Sequence, residues 1–137
     1  NKTKMLSFYS DSRSRKVLNI IQNNNVTVHL YEPRFKLQVQ LYGHAKIENN
    51  SEKTKNIWSS LNSFSKKNYL SALSPGEKID SLDNIKYNTD NEEAYCNFSL
   101  IYFKVTKLEC LQLSDIKNIR VEFVYTESSN KKYYMVP

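Results

Sequence analysis

The sequence has little of what a metal site or a disulfide framework needs. Its 137 residues include only two cysteines and two histidines. Cys96 and Cys110 belong to no Cys-x-x-Cys motif, and neither stands at a zinc-like spacing from a histidine. A lone pair of cysteines in a chain without an export signal is more typical of two reduced thiols than of a disulfide. We therefore expect no bound metal.

Long hydrophobic runs are also missing. No apolar stretch approaches the roughly 20 residues of a membrane-spanning helix, and residues 1–4 lead into no hydrophobic region of a signal peptide. We therefore expect a soluble, cytoplasmic protein that does not contact a membrane. A chain of this length predicts one domain over residues 1–137, large enough to bury about two-thirds of its unfolded surface.

The sequence contains no recognisable constellation of catalytic side chains. His29 and His44 each lie on the polar face of a predicted strand, and no Ser, Cys or paired carboxylate stands at a diagnostic spacing from either. The single tryptophan, Trp58, lies on a helix face with Ile57 and Leu61, which favours a place in the core or in an interface. The sequence alone therefore identifies no catalytic residue.

The formal net charge of +6 raises nucleic acid as a partner. Lys and Arg are, however, spread along the whole chain among acidic residues, and they form neither a basic stripe nor a recognised nucleic-acid motif. A phosphorylated small molecule satisfies the same positive charge. The sequence therefore disfavours a dedicated nucleic-acid function.

The spacing of apolar residues predicts a mainly β, antiparallel fold with inserted helices. In the long third strand one predicted face packs a core, and the opposite face meets solvent, a partner subunit or a ligand; Gly43 is predicted to mark a bulge. The core face comprises Phe35, Leu37, Val39, Leu41, Ala45 and Ile47, and the polar face comprises Lys36, Gln38, Gln40, Tyr42, His44 and Lys46. The predicted strands are 5–9, 26–31, 35–47, 98–105, 108–113, 119–125 and 133–136, with helices at 12–23 and 51–70 and a polar loop at 77–95.

The stretch from Phe8 to Lys16 runs from a strand through a turn into a helix, with Asp11 or Ser12 predicted as the helix N-cap. Its cations Arg13, Arg15 and Lys16 are unusual, because each positive charge in the first turn of a helix is unfavourable by roughly 0.3–1 kcal/mol. A bound anion would reverse that sign, and backbone N–H groups, hydroxyls and a guanidinium would together form a phosphate cradle. The alternative is that the cations point into water at little cost.

The order of these motifs resembles the pyridoxamine 5′-phosphate oxidase-like, FMN-binding split barrels. It runs from Phe-Tyr-Ser-x-x-x-Ser-Arg-Lys through the strand at 37–45, the Trp58 helix and Pro75-Gly76 to the final sheet, so the resemblance covers nearly the whole chain. The resemblance implies an antiparallel split β-barrel that binds FMN. It assigns the phosphate to Ser14, Arg15 and Lys16, the wall of the cofactor site to Tyr9 and Ser10, and a contact with the flavin ring to Gln38.

The resemblance further implies an FMN-dependent oxidoreductase of unknown substrate, working as a homodimer with the flavin between the subunits. A non-catalytic flavin-binding or flavin-sensing protein is the alternative, followed by a small nucleic-acid-binding barrel.

This chain also departs from the family. The family's first strand, with Arg-x-Val-x-Leu, has no counterpart, so we expect that strand to be missing here. The Arg-x-His-x-Arg cluster of true oxidases is replaced by residues 118–122, where only Arg120 offers a cation, and Asn62 and Ser65 near Lys66 stand where the oxidases supply further cations. We therefore expect a protein closer to the FMN-binding branch of the family, and not an efficient pyridoxamine 5′-phosphate oxidase.

Overall fold

The backbone alternates between strands and short helices in the computed structural model, which describes residues 4–137 except for the side chain of Asn91. Within these residues there are six strands, four α-helices and two 3₁₀ turns. The strands are β1 (Met5–Asp11), β2 (Asn25–Glu32), β3 (Leu37–Glu48), β4 (Phe98–Gln112), β5 (Ile119–Tyr125) and β6 (Asn130–Met135). The helices are α1 (Arg15–Gln22), α2 (Glu52–Ser60), α3 (Ser63–Lys67) and α4 (Asn91–Cys96), and the 3₁₀ turns are Pro33–Phe35 and Leu82–Asn84.

The strands form one six-stranded sheet. Five of them follow the order β2-β3-β4-β5-β6, and β1 pairs with β4 outside that order. The pairs β2/β3, β4/β5 and β5/β6 are antiparallel. The predicted mainly β fold with inserted helices is therefore confirmed. No helix within residues 4–137 has the length and the hydrophobicity of a membrane-spanning segment.

Several predicted elements are wrong in their bounds, among them the closing strand expected at 133–136, which is Asn130–Met135. The strands expected at 98–105 and 108–113 are one continuous strand, because Lys107 pairs with Val124 of β5 and keeps the ladder intact. The segment 77–95 is not entirely loop, since it contains the 3₁₀ turn and most of α4, which Asp90 caps by accepting a hydrogen bond from the Glu92 N–H at 2.8 Å. The helices expected through residue 70 end at Lys67.

The alternation along β3 is confirmed in its second half, where Leu41 and Ala45 are buried while His44 and Lys46 are exposed. Phe35 does not join the core face, because it lies in the 3₁₀ turn and is 60% exposed. The strand begins only after Lys36, whose φ of 47° turns the chain.

Residue contacts divide the chain into two compact units, each assembled from separated segments. The first unit comprises residues 4–6, 25–45 and 103–137, and the second comprises residues 7–24 and 46–102. The single domain expected over residues 1–137 stays a prediction, and residues 1–3 of it lie outside the described residues.

The second unit has an aromatic core centred on Phe98, which is fully buried at the start of β4. The Phe98 ring lies 5.6 Å from the Trp58 ring and 5.4 Å from the Tyr69 ring, centroid to centroid. Trp58 and Tyr69 in turn meet edge to face at 5.5 Å, and Ala94 of α4 completes the cluster. The core role expected for Trp58 is therefore confirmed.

Gly43 in the first unit lies where two backbones approach closely. The β2/β3 register continues without interruption through the Val26–Gly43 pair, so the predicted bulge does not occur in this pairing. A Cβ atom at Gly43 would lie 2.0 Å from the carbonyl oxygen of Lys104. Glycine is required here because the Lys104 backbone leaves no room for a side chain.

Gly43→Ala is expected to destabilise the protein by about 2–3 kcal/mol, because the added methyl group meets a backbone atom that cannot rotate away. Gly76→Ala is the matched control. Gly76 has a φ of 87° and nothing within 4 Å of its would-be Cβ atom, so only backbone strain of about 1 kcal/mol is expected. Urea unfolding of the two variants measures both costs, and equal costs would contradict the close-approach account.

Candidate functional site

The turn between β1 and α1 is fixed by hydrogen bonds on both sides. β1 continues to Asp11, and the Asp11 carbonyl accepts from the Ser14 N–H at 3.1 Å, which closes a tight turn. The helix therefore begins at Arg15, and Ser14 is its N-cap, because the Ser14 hydroxyl oxygen accepts from the Val17 N–H at 3.4 Å. The prediction of Asp11 or Ser12 as the cap is wrong, since β1 and the turn use those residues.

Asp11 and Arg13 form a fork-to-fork ion pair inside this turn. The Arg13 Nε donates to one carboxylate oxygen at 3.1 Å and a terminal guanidinium nitrogen donates to the other at 2.8 Å. The Arg13 backbone N–H donates to the same carboxylate at 2.8 Å. The Asp11 side chain is only 6% exposed, and its hydrogen bonds raise the pKa of Arg13 despite the opposing effect of burial. Arg13 is therefore paired within the chain and is not a free ligand-binding cation.

The hydroxyl groups of Ser10 and Ser14 lie 3.2 Å apart, so the end of β1 and the start of α1 present two hydroxyls side by side. Ser10 is buried, whereas Tyr9 is 46% exposed and packs its ring against Phe98 at 5.2 Å. Strand β1 thus connects these hydroxyls directly to the aromatic core of the second unit.

Arg15 and Lys16 are exposed in the first turn of α1, which contains no acidic residue. The Lys16 ammonium lies 5.8 Å from the Phe8 ring centroid, and neither cation forms an ion pair within residues 4–137. The backbone N–H groups of Arg15 and Lys16 have no acceptor inside the helix, because the first four N–H groups of any helix lack one. This turn therefore presents N–H groups, hydroxyls and two cations.

Such a donor set fits a phosphate monoester. Phosphate oxygens accept hydrogen bonds from N–H and O–H groups, and its negative charge is stabilised by the helix start and by the two cations. The same turn does not suit a metal ion, and residues 4–137 contain no group of His, Cys, Asp and Glu that could hold one.

Five of the six predicted site residues lie in this part of the second unit, namely Tyr9, Ser10, Ser14, Arg15 and Lys16.

Gln38, the sixth, belongs to the first unit and is half-buried on β3. It lines a cavity of about 120 Å³ on the polar face of the sheet. The remaining lining residues are Gln40, Glu109, Cys110, Leu111 and Arg120.

An ion-pair network surrounds Glu109 at this cavity. Its carboxylate lies 2.7 Å from the Arg120 guanidinium and 2.9 Å from the Lys107 ammonium, and Lys107 also reaches Glu122 at 3.1 Å. The hydrogen bonds from Arg120 and Lys107 lower the pKa of Glu109. The sequence pattern does not reveal this network, because Arg120 and Glu122 of β5 meet Glu109 and Lys107 of β4 only through the strand register.

The chain resembles solved structures over most of its length. A pyridoxamine 5′-phosphate oxidase-related, FMN-binding protein from Nostoc punctiforme gives a TM-score of 0.78 at 18% identity, over 100% of this chain and 75% of that one. PhzG from Burkholderia lata, in complex with tetrahydrophenazine-1-carboxylic acid, gives a TM-score of 0.73 at 13% identity, over 98% of this chain and 69% of that one. A protein from Clostridium acetobutylicum related to general stress protein 26, of the pyridoxinephosphate oxidase family, gives a TM-score of 0.55 at 11% identity, over 88% of this chain and 67% of that one.

These similarities confirm the predicted resemblance at the level of the fold, which is the mainly antiparallel split barrel. No protein-family model and no curated protein matches the sequence. Identities below 20% carry the fold alone, so activity and ligand have to be argued from the site itself.

Glu109→Gln is expected to change how stability depends on pH. Because the pKa of Glu109 is lower in the folded protein, its carboxylate stabilises the fold at pH values above the pKa of the unfolded chain, near 4.5. This stabilisation is lost as the pH falls through the pKa of the folded protein. The variant should have a lower Tm at pH 7, because two cations lose their partner, and a smaller fall in Tm below pH 4.5.

Glu127→Gln, which removes an exposed carboxylate from the β5–β6 turn, is the matched control and should follow the wild-type pH profile. Thermal unfolding at a series of pH values distinguishes the two variants. Identical profiles for both would contradict the stabilising role of the Glu109 network.

Proposed function

We propose that this chain is an FMN-binding protein of the pyridoxamine 5′-phosphate oxidase-like family and that the β1–α1 turn holds the FMN phosphate. The observation that carries the proposal is the set of donors in that turn: the paired hydroxyls of Ser10 and Ser14, and two exposed cations in a helix turn without an acidic residue. An anion compensates the unfavourable charge of Arg15 and Lys16 there, whereas water only screens it.

The fold supports the same ligand. The Nostoc punctiforme protein, whose fold the chain shares, is described as FMN binding. The Phe-Tyr-Ser-x-x-x-Ser-Arg-Lys motif of this chain, which resembles the family's phosphate motif, falls on the turn that has the phosphate-binding donors. The motif and the local geometry therefore support a phosphate in this turn, and the fold supports a flavin as the group that carries it.

In this proposal Tyr9 and Ser10 line the cofactor site and Gln38 contacts the flavin ring, the last on the family resemblance alone. The bound flavin supplies the redox chemistry, so the protein needs side chains that bind and orient it and no separate acid–base pair. The protein is then an FMN-dependent oxidoreductase. A non-catalytic flavin-binding or flavin-sensing protein is the alternative, and it is distinguished by the absence of turnover with any reductant.

The proposal also includes a cytoplasmic homodimer, in which the polar face of β3 with Gln38, Gln40 and Tyr42 meets a second subunit or the ligand. Two side chains of this face are held by contacts within the chain. The Tyr42 hydroxyl donates to the Gln40 side-chain oxygen at 2.6 Å, and the Lys107 ammonium lies 4.1 Å from the Tyr42 ring centroid.

The protein is then not an efficient pyridoxamine 5′-phosphate oxidase, because the residues at the positions of the oxidases' second phosphate site offer few cations without a partner in the chain. Arg120 is held by Glu109 at 2.7 Å, and Lys66 lies 5.3 Å from the Trp58 ring centroid. Asn62 uses its side-chain oxygen to cap α3, accepting from the Ser65 N–H at 2.8 Å.

Arg15→Ala is expected to weaken FMN binding by about 1.5–3 kcal/mol, because a charge-assisted hydrogen bond to phosphate is lost. That loss corresponds to roughly ten- to a hundredfold in Kd. Riboflavin, which lacks the phosphate, should bind both proteins equally. Flavin fluorescence titrations measure the four dissociation constants.

Arg34→Ala is the matched control, because it removes the same charge from an exposed arginine in the Pro33–Phe35 turn. It should leave FMN affinity within about twofold of the wild type, an allowance for weak long-range electrostatics. Wild-type FMN affinity in Arg15→Ala, or equal losses in both variants, would show that the phosphate does not bind at this turn.

The FMN-loaded protein is expected not to oxidise pyridoxamine or pyridoxine phosphate efficiently. Each missing or committed cation costs on the order of 1.5–3 kcal/mol of substrate binding, which is tens- to hundredfold in affinity. Peroxide release measured against substrate concentration should show no saturation in the micromolar range. Turnover with a micromolar KM would contradict this prediction.

A further inference from the structure

The β1–α1 turn contains the Asp11–Arg13 pair and two sets of backbone N–H donors, those of residues 12–14 and those of the helix start. Ser12 donates its N–H to the Asn97 carbonyl at 2.8 Å, Arg13 donates its N–H to the Asp11 carboxylate, and Ser14 donates its N–H to the Asp11 carbonyl. These three N–H groups are occupied. Only the N–H groups of the helix start remain for a ligand, and the buried carboxylate of Asp11 lies four residues before Arg15 in the same turn.

A carboxylate at this position opposes the binding of any anion. Two unit charges several ångströms apart in a partly buried setting interact strongly enough to change an affinity by about tenfold. Arg13 offsets the negative charge of Asp11, because its guanidinium donates to both carboxylate oxygens. The Arg13 side chain is only 26% exposed. Glu77 adds a second negative charge near Arg13, and Tyr69 is a titratable group that interacts with Asp11.

We propose that Arg13 is a positioning residue that neutralises Asp11, so that the turn presents its remaining positive charge to a phosphate. This inference rests on the proposed function and adds a division of labour among the three clustered cations. Arg15 and Lys16 face the ligand, whereas Arg13 acts through Asp11 and touches no ligand. Asp11 is retained because its side chain and its carbonyl together hold the turn.

The proposal makes a prediction that a merely structural role does not make. Arg13→Ala leaves an unpaired buried carboxylate beside the phosphate and should weaken FMN binding about tenfold or more, with riboflavin affinity unchanged. Adding Asp11→Asn to Arg13→Ala removes the charge and keeps a side-chain oxygen that can accept from the residue 13 N–H. The double variant should recover FMN affinity to within about threefold of the wild type.

Arg13→Lys provides a second readout, because it keeps the charge and loses the two-pronged geometry. It should bind FMN more tightly than Arg13→Ala and no more tightly than the wild type. All affinities are measured by flavin fluorescence titration with FMN and with riboflavin, on samples whose folding is checked by circular dichroism.

The outcomes separate this inference from the proposed function. If the wild type does not prefer FMN to riboflavin, or Arg15→Ala has no effect, the phosphate site itself is wrong. If Arg15→Ala weakens FMN binding but Arg13→Ala does not, the neutralising role of Arg13 is wrong. Loss of FMN and riboflavin affinity together in Arg13→Ala, without recovery in the double variant, would also overturn it and indicate a structural role only.

Discussion

The β1–α1 turn depends on one buried ion pair. The chain has to end a strand at Asp11 and begin a helix at Arg15, which leaves three residues for the reversal. The Asp11 carboxylate makes this possible, because it binds the backbone and the guanidinium of Arg13 at once while its carbonyl receives the Ser14 N–H. A carboxylate that is 6% exposed would be costly alone, and its pairing removes that cost.

Aromatic packing and a backbone hydrogen bond in the rest of the second unit hold this turn in place. β1 is anchored through the Tyr9 ring on Phe98, and Phe98 is in turn surrounded by Trp58 and Tyr69. The Asn97 carbonyl, next to Phe98 in sequence, receives the Ser12 N–H and fixes the outer side of the turn. The position of the phosphate-binding donors thus depends on an apolar core, and a core substitution at Phe98 would disturb the site without touching a ligand group.

Much of this arrangement could be predicted from the sequence, because it depends on local signals. Alternating residues identified β3, the Asn-rich stretch after Ile21 ended α1, and the Ser-Arg-Lys motif located the cationic turn. The predictions failed where the outcome depends on partners distant in sequence. The Gly43 contact with Lys104, the Glu109–Arg120 pair and the continuity of β4 all follow from strand register, which no local pattern encodes. The sequence does not separate Arg13 from the free cations Arg15 and Lys16, because a carboxylate two residues away in sequence does not reveal whether an ion pair forms.

The most direct test of the account is the flavin content of the protein itself. The chain is purified without added flavin, its visible absorbance is recorded, and the ligand released by denaturation is identified by chromatography; the apoprotein is then titrated with FMN. We expect a yellow protein, or an apoprotein that takes up one FMN per chain, with inorganic phosphate weakening the uptake by competing for the β1–α1 turn. A colourless protein that is correctly folded but binds neither FMN nor riboflavin would show that the chain is not a flavin-binding protein.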